Sequence, residues 1–578
     1  MNKKNISASL AAVMICGSIV FFQPAGTASA AGSKRNSQTS STKTTSTVPI
    51  TVTTTPITAT TTPITTTVAS PITTAAVTAT TDVSCKTLGM VPNDSSKAQS
   101  NYKLMLAALK SGKNLVVDDV YYLDSIYFSA TDGNLIKSNV VIKGTDKTKN
   151  KLILQDGTYF NVKGNVTIQG ITIQGISKGD PAYLLELVAP YRLSVNVDSN
   201  YITGNIRLLS SRIPTTFDFA ATDCGITELN ITNNEFYDMY NSSGTRSIIY
   251  VNDTPVGTAR ISNNKVTNFS YIFYDNQITN GSPDAAYVGA HSKMMYMDGN
   301  VVKCTDDYDA IARNGGKIGY YYCFAITEMD TVDCTGNTFE GFHVINSPGT
   351  VVYDNYFSVR HLTYEYNTWK NIVNFTPGTE YVDIMKSKNG EGAPDSSRIY
   401  MGNHYITEAS YADKFGQSRY LLMKQIDTYE TWIYNVDIEN NTFDMYILSS
   451  PRYKKAINYT FNNNTLNLVT QESASCTQAY IGIQEYRDAS GSLVPRQLTF
   501  TNNKVNTLNP PLDGVAAAYS RYLIDAGTTG ERVSIKFENN SISTFNVNKA
   551  FNDESSFAGT KTISNNLIYN NSKIMNLQ

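Results

Sequence analysis

The sequence predicts an all-β fold: a single-stranded right-handed parallel β-helix whose N-terminal end is closed by a short capping helix. Three observations carry this. A unit of the form hydrophobic–x–Asn–Asn–x–hydrophobic recurs as "ITNNEF" (231–236), "ISNNKV" (261–266), "FNNNTL" (461–466), "FTNNKV" (500–505), "FENNSI" (537–542) and "ISNNLI" (563–568). Its spacing is irregular, which suits stacked coils with loops of unequal length better than the strict period of propeller blades or the consensus leucines of leucine-rich repeats. The segment 93–123 reads as one amphipathic helix followed by a Val-rich strand.

The chain begins with an export signal over residues 1–30. Lys3 and Lys4 are the charged start, "LAAVMICGSIVFF" (10–22) the apolar run and "ASA" (28–30) the small-residue cleavage site before Ala31. The apolar run is short for a membrane span, so the mature protein is expected to be secreted, from a bacterium, with no span of its own. Residues 31–84 are a disordered tether of Thr, Ser, Ala, Val and Pro in which "PITVTTT", "PITATTT" and "PITTTVAS" repeat. A segment without large apolar groups cannot build a core, and this one is a candidate for O-glycosylation. The β-helix domain is assigned to 85–578.

Charge excludes one class of partner. The chain holds 47 Lys and Arg against 49 Asp and Glu, and residues 1–84 take five of the bases and one acid, leaving 42 against 48. A net charge near −6 gives no basic footprint for nucleic acid. Of seven cysteines, Cys16 leaves with the signal, and the other six show no CxxC spacing. They read as buried thiols, with one or two disulfides open after export. Four histidines are too few for a histidine-rich metal centre.

The folded part opens with "NDSSKAQSNYKLMLAALKSGKNLVVDDVYYL" (93–123). Asp94 and Ser95 are cap candidates, Leu104, Leu106, Ala108 and Leu109 form the apolar face, Gly112 ends the helix and "LVV" (115–117) starts a strand. This segment resembles the N-terminal cap of the pectin-lyase-like superfamily, in which such a helix covers the open end of a parallel β-helix. Asp118-Asp119-Val120-Tyr121 stands where that pattern usually has Pro and Gly.

The coils follow. Taking Gly144, Gly170, Asn200 and then the Asn at 234, 264, 300, 337, 355, 403, 441, 464, 503, 540 and 566 as equivalent gives intervals of 18 to 48 residues. Equivalent bends of a β-helix stack about 4.8 Å apart. A left-handed bend favours Gly or Asn, and a buried Asn side chain can donate to the Asn of the next coil, so a ladder satisfies groups that are otherwise costly to bury. About fourteen coils would span roughly 65 Å. Several bends also read as N-x-Ser/Thr, a glycosylation signal that burial in the ladder would disfavour.

Chemistry is expected on an outer face, where long loops wall a groove. The longest interval, 355 to 403, contains the segment 360–398 and, with the coils from about 290 to 430, is the expected groove wall. Within it lie four sets of candidates. The basic set is Lys386, Lys388, Arg398, Lys414, Arg419 and Lys424. Here "VDIMKSKN" resembles the alginate lyase and chondroitinase B family, in which a strand ending in Lys-Ser-x-x-Asn is followed one coil later by an Arg. That resemblance implies Lys386 as the catalytic base and Arg419 as the second cation; "GEGAPDSS" (390–397) interrupts the motif and Arg419 lies about a dozen residues late. Lys388 and Arg398, from the same basic set, are candidates for binding substrate. The chemistry is sound, since a uronate C5 proton becomes removable once its carboxylate is neutralised by Ca²⁺ or a cation.

The acidic set is Asp306, Asp307 and Asp309, with Glu328, Asp330 and Asp333 about one coil on. Paired carboxylates serve glycoside hydrolysis as acid and base, and Glu328 and Asp330 are candidate Ca²⁺ ligands. "TDDYDAIA" loosely resembles the double aspartate of polygalacturonases, whose other motifs are absent. Among the histidines, His291, His343 and His404 sit singly among apolar or aromatic residues, and Arg360-His361 is the pair singled out for substrate binding. Finally, Tyr364, Tyr366, Trp369 and Trp432 could stack on sugar rings.

The functional expectation is a secreted carbohydrate-active protein: a polysaccharide lyase cleaving uronate-containing extracellular chains by β-elimination, with Ca²⁺ as its candidate cofactor. A glycoside hydrolase of the same fold and a non-catalytic carbohydrate-binding adhesin are the alternatives. The expected partner is extracellular polysaccharide, with polyuronate the candidate, and not nucleic acid.

Overall fold

The computed structural model describes residues 81–577, apart from 126–133, 213–224, 240–246, 277–291, 304–323, 341–351, 355–358, 376–396, 407–420, 424–432, 469–478, 484–491, 509–521, 526–532, 553–558 and some shorter internal stretches. The fold is the expected right-handed parallel β-helix. One face is a sheet of 16 parallel strands, here face A. Two further faces, B and C, are joined through Tyr201–Arg212, a strand long enough to pair on both. A single coil shows the plan. Ile226–Thr232 lies on face A, Asn233 and Asn234 turn the corner, Glu235–Met239 lies on face B, Ser247–Asn252 on face C, and Val256–Ser262 begins the next rung. At about 4.8 Å per rung, face A is roughly 70 Å long.

Parallel in-register pairing stacks like on like. On face A, Val197, Ile231, Ile261, Met297, Cys334, Tyr364, Tyr400, Ile438, Phe461 and Phe500 form one buried inward column. On face B the column runs through Phe339, Trp369, Tyr405 and Phe443, whose ring centroids lie 4.5, 6.2 and 4.7 Å apart. Tyr364 and Trp369, expected to bind sugar, are therefore core residues, 3% and 1% exposed. The cause is the two-residue side-chain period of a strand, which sends every second residue inward. Trp369→Ala is expected to cost about 3–5 kcal/mol of stability, read as a lower urea midpoint, with polysaccharide affinity unchanged.

The Asn pairs divide their work. The second member of each pair turns inward, and twelve of them, Asn200, Asn234, Asn264, Asn300, Asn337, Asn367, Asn403, Asn441, Asn464, Asn503, Asn540 and Asn566, form one ladder among the described residues, all buried but the half-buried Asn566. Each side-chain Nδ2 donates to a backbone carbonyl one coil back and, in all but the last, to the Oδ1 of the next Asn; Asn234 donates to Val197 at 2.8 Å and to Asn264 at 3.1 Å. The first member takes positive φ and is exposed at Asn440, Asn463 and Asn539. Those three are the acceptor positions of the N-x-Ser/Thr signals, so the ladder does not bury them.

One rung was misplaced by sequence. The ladder residue after Asn337 is Asn367, 30 residues on, and Asn403 follows after 36; Asn355 lies outside the described residues. Ladder steps run from 23 to 39 residues. The apparent 48-residue interval disappears, and with it the argument that 360–398 is an insertion: Val359–Glu365 and Thr368–Lys370 are ordinary coil strands.

The cap is as expected. A 3-10 turn, Ser95–Lys97, leads into the helix Ala98–Lys110, with Asp94 Oδ1 accepting from the Ser96 amide at 2.9 Å. The helix buries Tyr102, Met105 and Leu109 over the first coils, and Tyr102 stacks on Phe160 at 4.9 Å. Cys85 and Cys334 are buried free thiols; burial pushes Cys85 up to about 12 and raises Cys334 further. Cys224, Cys304, Cys323 and Cys476 lie outside the described residues. Among the described residues no helix is long and apolar enough to cross a membrane.

Candidate functional site

Among the described residues, the coil Val359–Glu365 carries a cluster of titratable side chains on the outside of face A. Leu362 and Tyr364 point inward, so the alternation turns His361, Thr363 and Glu365 outward. Below them lie Thr331, Asp333 and Thr335, and above them Ser397, Ile399 and Met401, in direct register. His361 Nδ1 lies 3.0 Å from Ser397 Oγ. Asp333 sits one rung below and two residues along from both His361 and Glu365, a diagonal of roughly 8 Å between backbone positions. In the column nearest the corner, Asp298 and Glu365 each lie one rung from Asp333, and Glu439 lies two rungs beyond Glu365.

Three carboxylates on this face are held toward their protonated form. Burial raises Asp333 above its ordinary value, against a hydrogen bond from Thr363 and the nearby His361, both of which favour the anion. Glu365 is raised first by burial and then by the charge of Asp333. Asp437, farther along, is raised by burial against a hydrogen bond from Thr460. Two neighbouring carboxyls with shifted affinity for protons, beside an imidazole, can supply both a proton donor and a proton acceptor.

Around the corner, face B carries a polar network. Glu340 bridges Lys303 and Lys370 at 3.3 and 3.2 Å. His404 Nε2 meets Asp444 Oδ2 at 2.7 Å, and Asp444 accepts from Asn467 at 2.6 Å. Partly exposed pairs of this kind add about 0–1 kcal/mol each.

Tyr366 occupies the corner itself. The residue before each of the twelve ladder asparagines has positive φ, and it is Asn at seven of them, Gly at 299, 336 and 402, Ser at 199 and Tyr at 366. Tyr366 has φ 54° and is 62% exposed. A bulky residue in that conformation costs roughly 1–2 kcal/mol relative to the right-handed region, and such strain tends to collect where a side chain is needed.

The other predicted residues fare variously. Lys386, Lys388, Arg419, Asp306, Asp307, Asp309 and Glu328 lie outside the described residues, as does the side chain of Arg360. Asp330 is half-buried at the start of Met329–Thr335, and among the described residues no group of three His, Cys, Asp or Glu could hold a metal ion. Arg398 is a correction. Expected to bind substrate, it is fully buried, faces inward between Leu362 and Val436, and donates from Nη1 to the Ser397 carbonyl at 2.7 Å. It cannot meet a polysaccharide. His361 does reach the outer face. Sequence reasoning placed Asp333 in the acidic set without giving it a role and missed Glu365; counting by twos back from the true ladder residue Asn367 would have turned Glu365, Thr363 and His361 outward together.

No family model matches the chain, and no curated protein does. Among solved structures the chain is similar to two Azotobacter vinelandii mannuronan C-5 epimerase A-modules. For that of AlgE6 the identity is 10% and the TM-score 0.30, covering 84% of this chain and 98% of that one. For that of AlgE4 the identity is 12% and the TM-score 0.31, covering 83% and 99%. The catalytic domain of a GH87 alpha-1,3-glucanase in complex with nigerose is matched at 12% identity and TM-score 0.28, covering 85% and 70%. Likenesses at this level carry no argument about activity.

Proposed function

We propose that the protein is a secreted enzyme acting on an extracellular polysaccharide, with acid–base chemistry on the outer side of face A around Asp333, Glu365 and His361. The observation that carries this reading is the pair of adjacent carboxyls, Asp333 and Glu365, both raised above their ordinary values on a long flat ladder of parallel strands. A linear glycan laid on that face would place a glycosidic oxygen within reach of a carboxyl whose hold on its proton burial has strengthened. A second carboxylate nearby completes the requirement for glycoside hydrolysis.

β-Elimination on a uronate chain is the second reading. It rests on the resemblance around Lys386 and Arg419, and it needs cations or Ca²⁺ to offset a face that presents Asp298, Asp333, Glu365, Asp437 and Glu439. The acidity of those positions favours hydrolysis over elimination at this place. The two readings part in one assay. The mature chain is incubated with neutral glucans, polygalacturonate, alginate and chondroitin sulfate, with and without Ca²⁺, while ultraviolet absorbance and reducing ends are followed. New reducing ends without an absorbance rise fit hydrolysis, and both together fit elimination. Neither product from any substrate would leave a β-helical binding protein as the reading.

A further inference from the structure

We propose that Tyr366 is a sugar-stacking platform at the corner between faces A and B, a subsite for the apolar face of a neutral hexopyranose. This rests on the polysaccharide reading above. The ring is 62% exposed and stands where the other ladder corners carry Asn, Gly or Ser. The neighbouring corners are both glycine. A Cβ at Gly402 would lie 2.6 Å from both Cδ1 and Cε1 of Tyr366, so the ring is laid over the Gly402 backbone in space that any other residue would fill. On the other side, a Cβ at Gly336 would meet nothing within 4 Å. The two glycines thus clear a shelf about two rungs wide, with the ring backed on one side by main chain and open to solvent.

An aromatic ring held this way offers a π-face to the C–H groups of a pyranose. Glu365 is the adjoining residue and Asp333 lies diagonally below it, so a sugar seated on Tyr366 is beside the carboxyl pair. The charges select against an acidic sugar. Asp298, Glu365 and Glu439 line the edge of face A next to the corner with Asp333 in the next outward column, while Lys303 and Lys370 around the corner are engaged by Glu340.

The test is affinity electrophoresis of the mature chain in native gels containing dextran, laminarin or xyloglucan, and in parallel gels containing polygalacturonate or alginate. The wild type, Tyr366→Phe and Tyr366→Asn are compared, with melting temperatures taken alongside. The wild type and the Phe variant are expected to be retarded alike by a neutral glucan. Tyr366→Asn should bind about five- to tenfold more weakly while melting at the same or a higher temperature, because Asn suits the left-handed corner. Equal retardation of wild type and Tyr366→Asn overturns the platform and leaves the polysaccharide reading intact. Retardation by the polyuronates alone overturns the neutral-sugar assignment. No retardation in any gel, with no products in the assay above, overturns the polysaccharide reading and the subsite together.

Discussion

Asn337→Ala is expected to lower stability by roughly 3–5 kcal/mol, because one side chain closes four hydrogen bonds to the coils on either side. Its Oδ1 accepts from the Asn300 backbone amide and from Asn300 Nδ2, both at 2.8 Å. Its Nδ2 donates to the Met297 carbonyl at 2.8 Å and to Asn367 Oδ1 at 2.9 Å. Alanine strips all four and supplies nothing, and water has no route to a residue 1% exposed. Each group left unpaired costs about 1–3 kcal/mol. The urea midpoint should fall while the dependence on urea concentration stays the same. Amide exchange should speed up first at Asn300, where the donor loses its acceptor. The comparison variant is Gly336→Asn at the preceding corner, where positive φ is already tolerated by Asn in seven other coils; its effect should be within about 0.5 kcal/mol. A small loss for Asn337→Ala would mean that strand pairing alone holds the coils in place.

The ladder also explains what could and could not be read from sequence. Asn-Asn pairs announce bends because the two members meet different demands, a left-handed backbone for the first and a buried hydrogen-bond relay for the second. Where the first member is Gly, as at Gly336 and Gly402, the pattern still reads. At Tyr366-Asn367 it does not, since no backbone preference points to Tyr in that conformation, and the rung was assigned twelve residues early. That single slip removed the anchor for counting inward and outward positions through 359–370. Tyr364 and Trp369 were then placed in a loop instead of the core.

Arg398 was misread for a different reason. In "SRIYM" (397–401) hydrophobicity alone would turn Ile399 and Met401 inward, yet the Gly402-Asn403 bend and pairing with Leu362 and Val436 fix the opposite register. Arg496 shows the same override: it is 2% exposed, and burial lowers it to about 9. In a stacked array the neighbours on both sides set the register of a strand, so one coil with a conflicting pattern follows the majority. The carboxyl cluster was legible only in part, because Asp333 and Glu365 are 32 positions apart in sequence and are brought together by rung alignment.

Asp333→Asn is expected to cut turnover by about 10²- to 10⁴-fold if Asp333 exchanges protons with substrate, and at the same time to leave the fold at least as stable. The second half follows from the sign of the shifts. Asp333 is raised from 3.8 and Glu365 from 4.5, so the folded state holds their protons more tightly than the unfolded chain does. Their contribution to stability is full below those ordinary values and is lost as pH rises through the raised ones. Above the raised values each anion is half-buried at a cost, and Asn removes one of them while it can still accept from Thr363. The Glu365 carboxyl, no longer beside a charge, should titrate at lower pH, moving the acid limb of any residual activity downward. Melting temperatures of wild type and variant should coincide near pH 3 and diverge in favour of the variant by pH 7. A purely structural Asp333 would give the reverse: lower stability at pH 7, from the lost interactions with Thr363 and His361, with activity falling only as far as the folded fraction does. Retention of wild-type turnover in a stable Asp333→Asn protein would remove this carboxyl from the chemistry and leave the candidates at Lys386, Arg419 and Asp306–Asp309 to carry it.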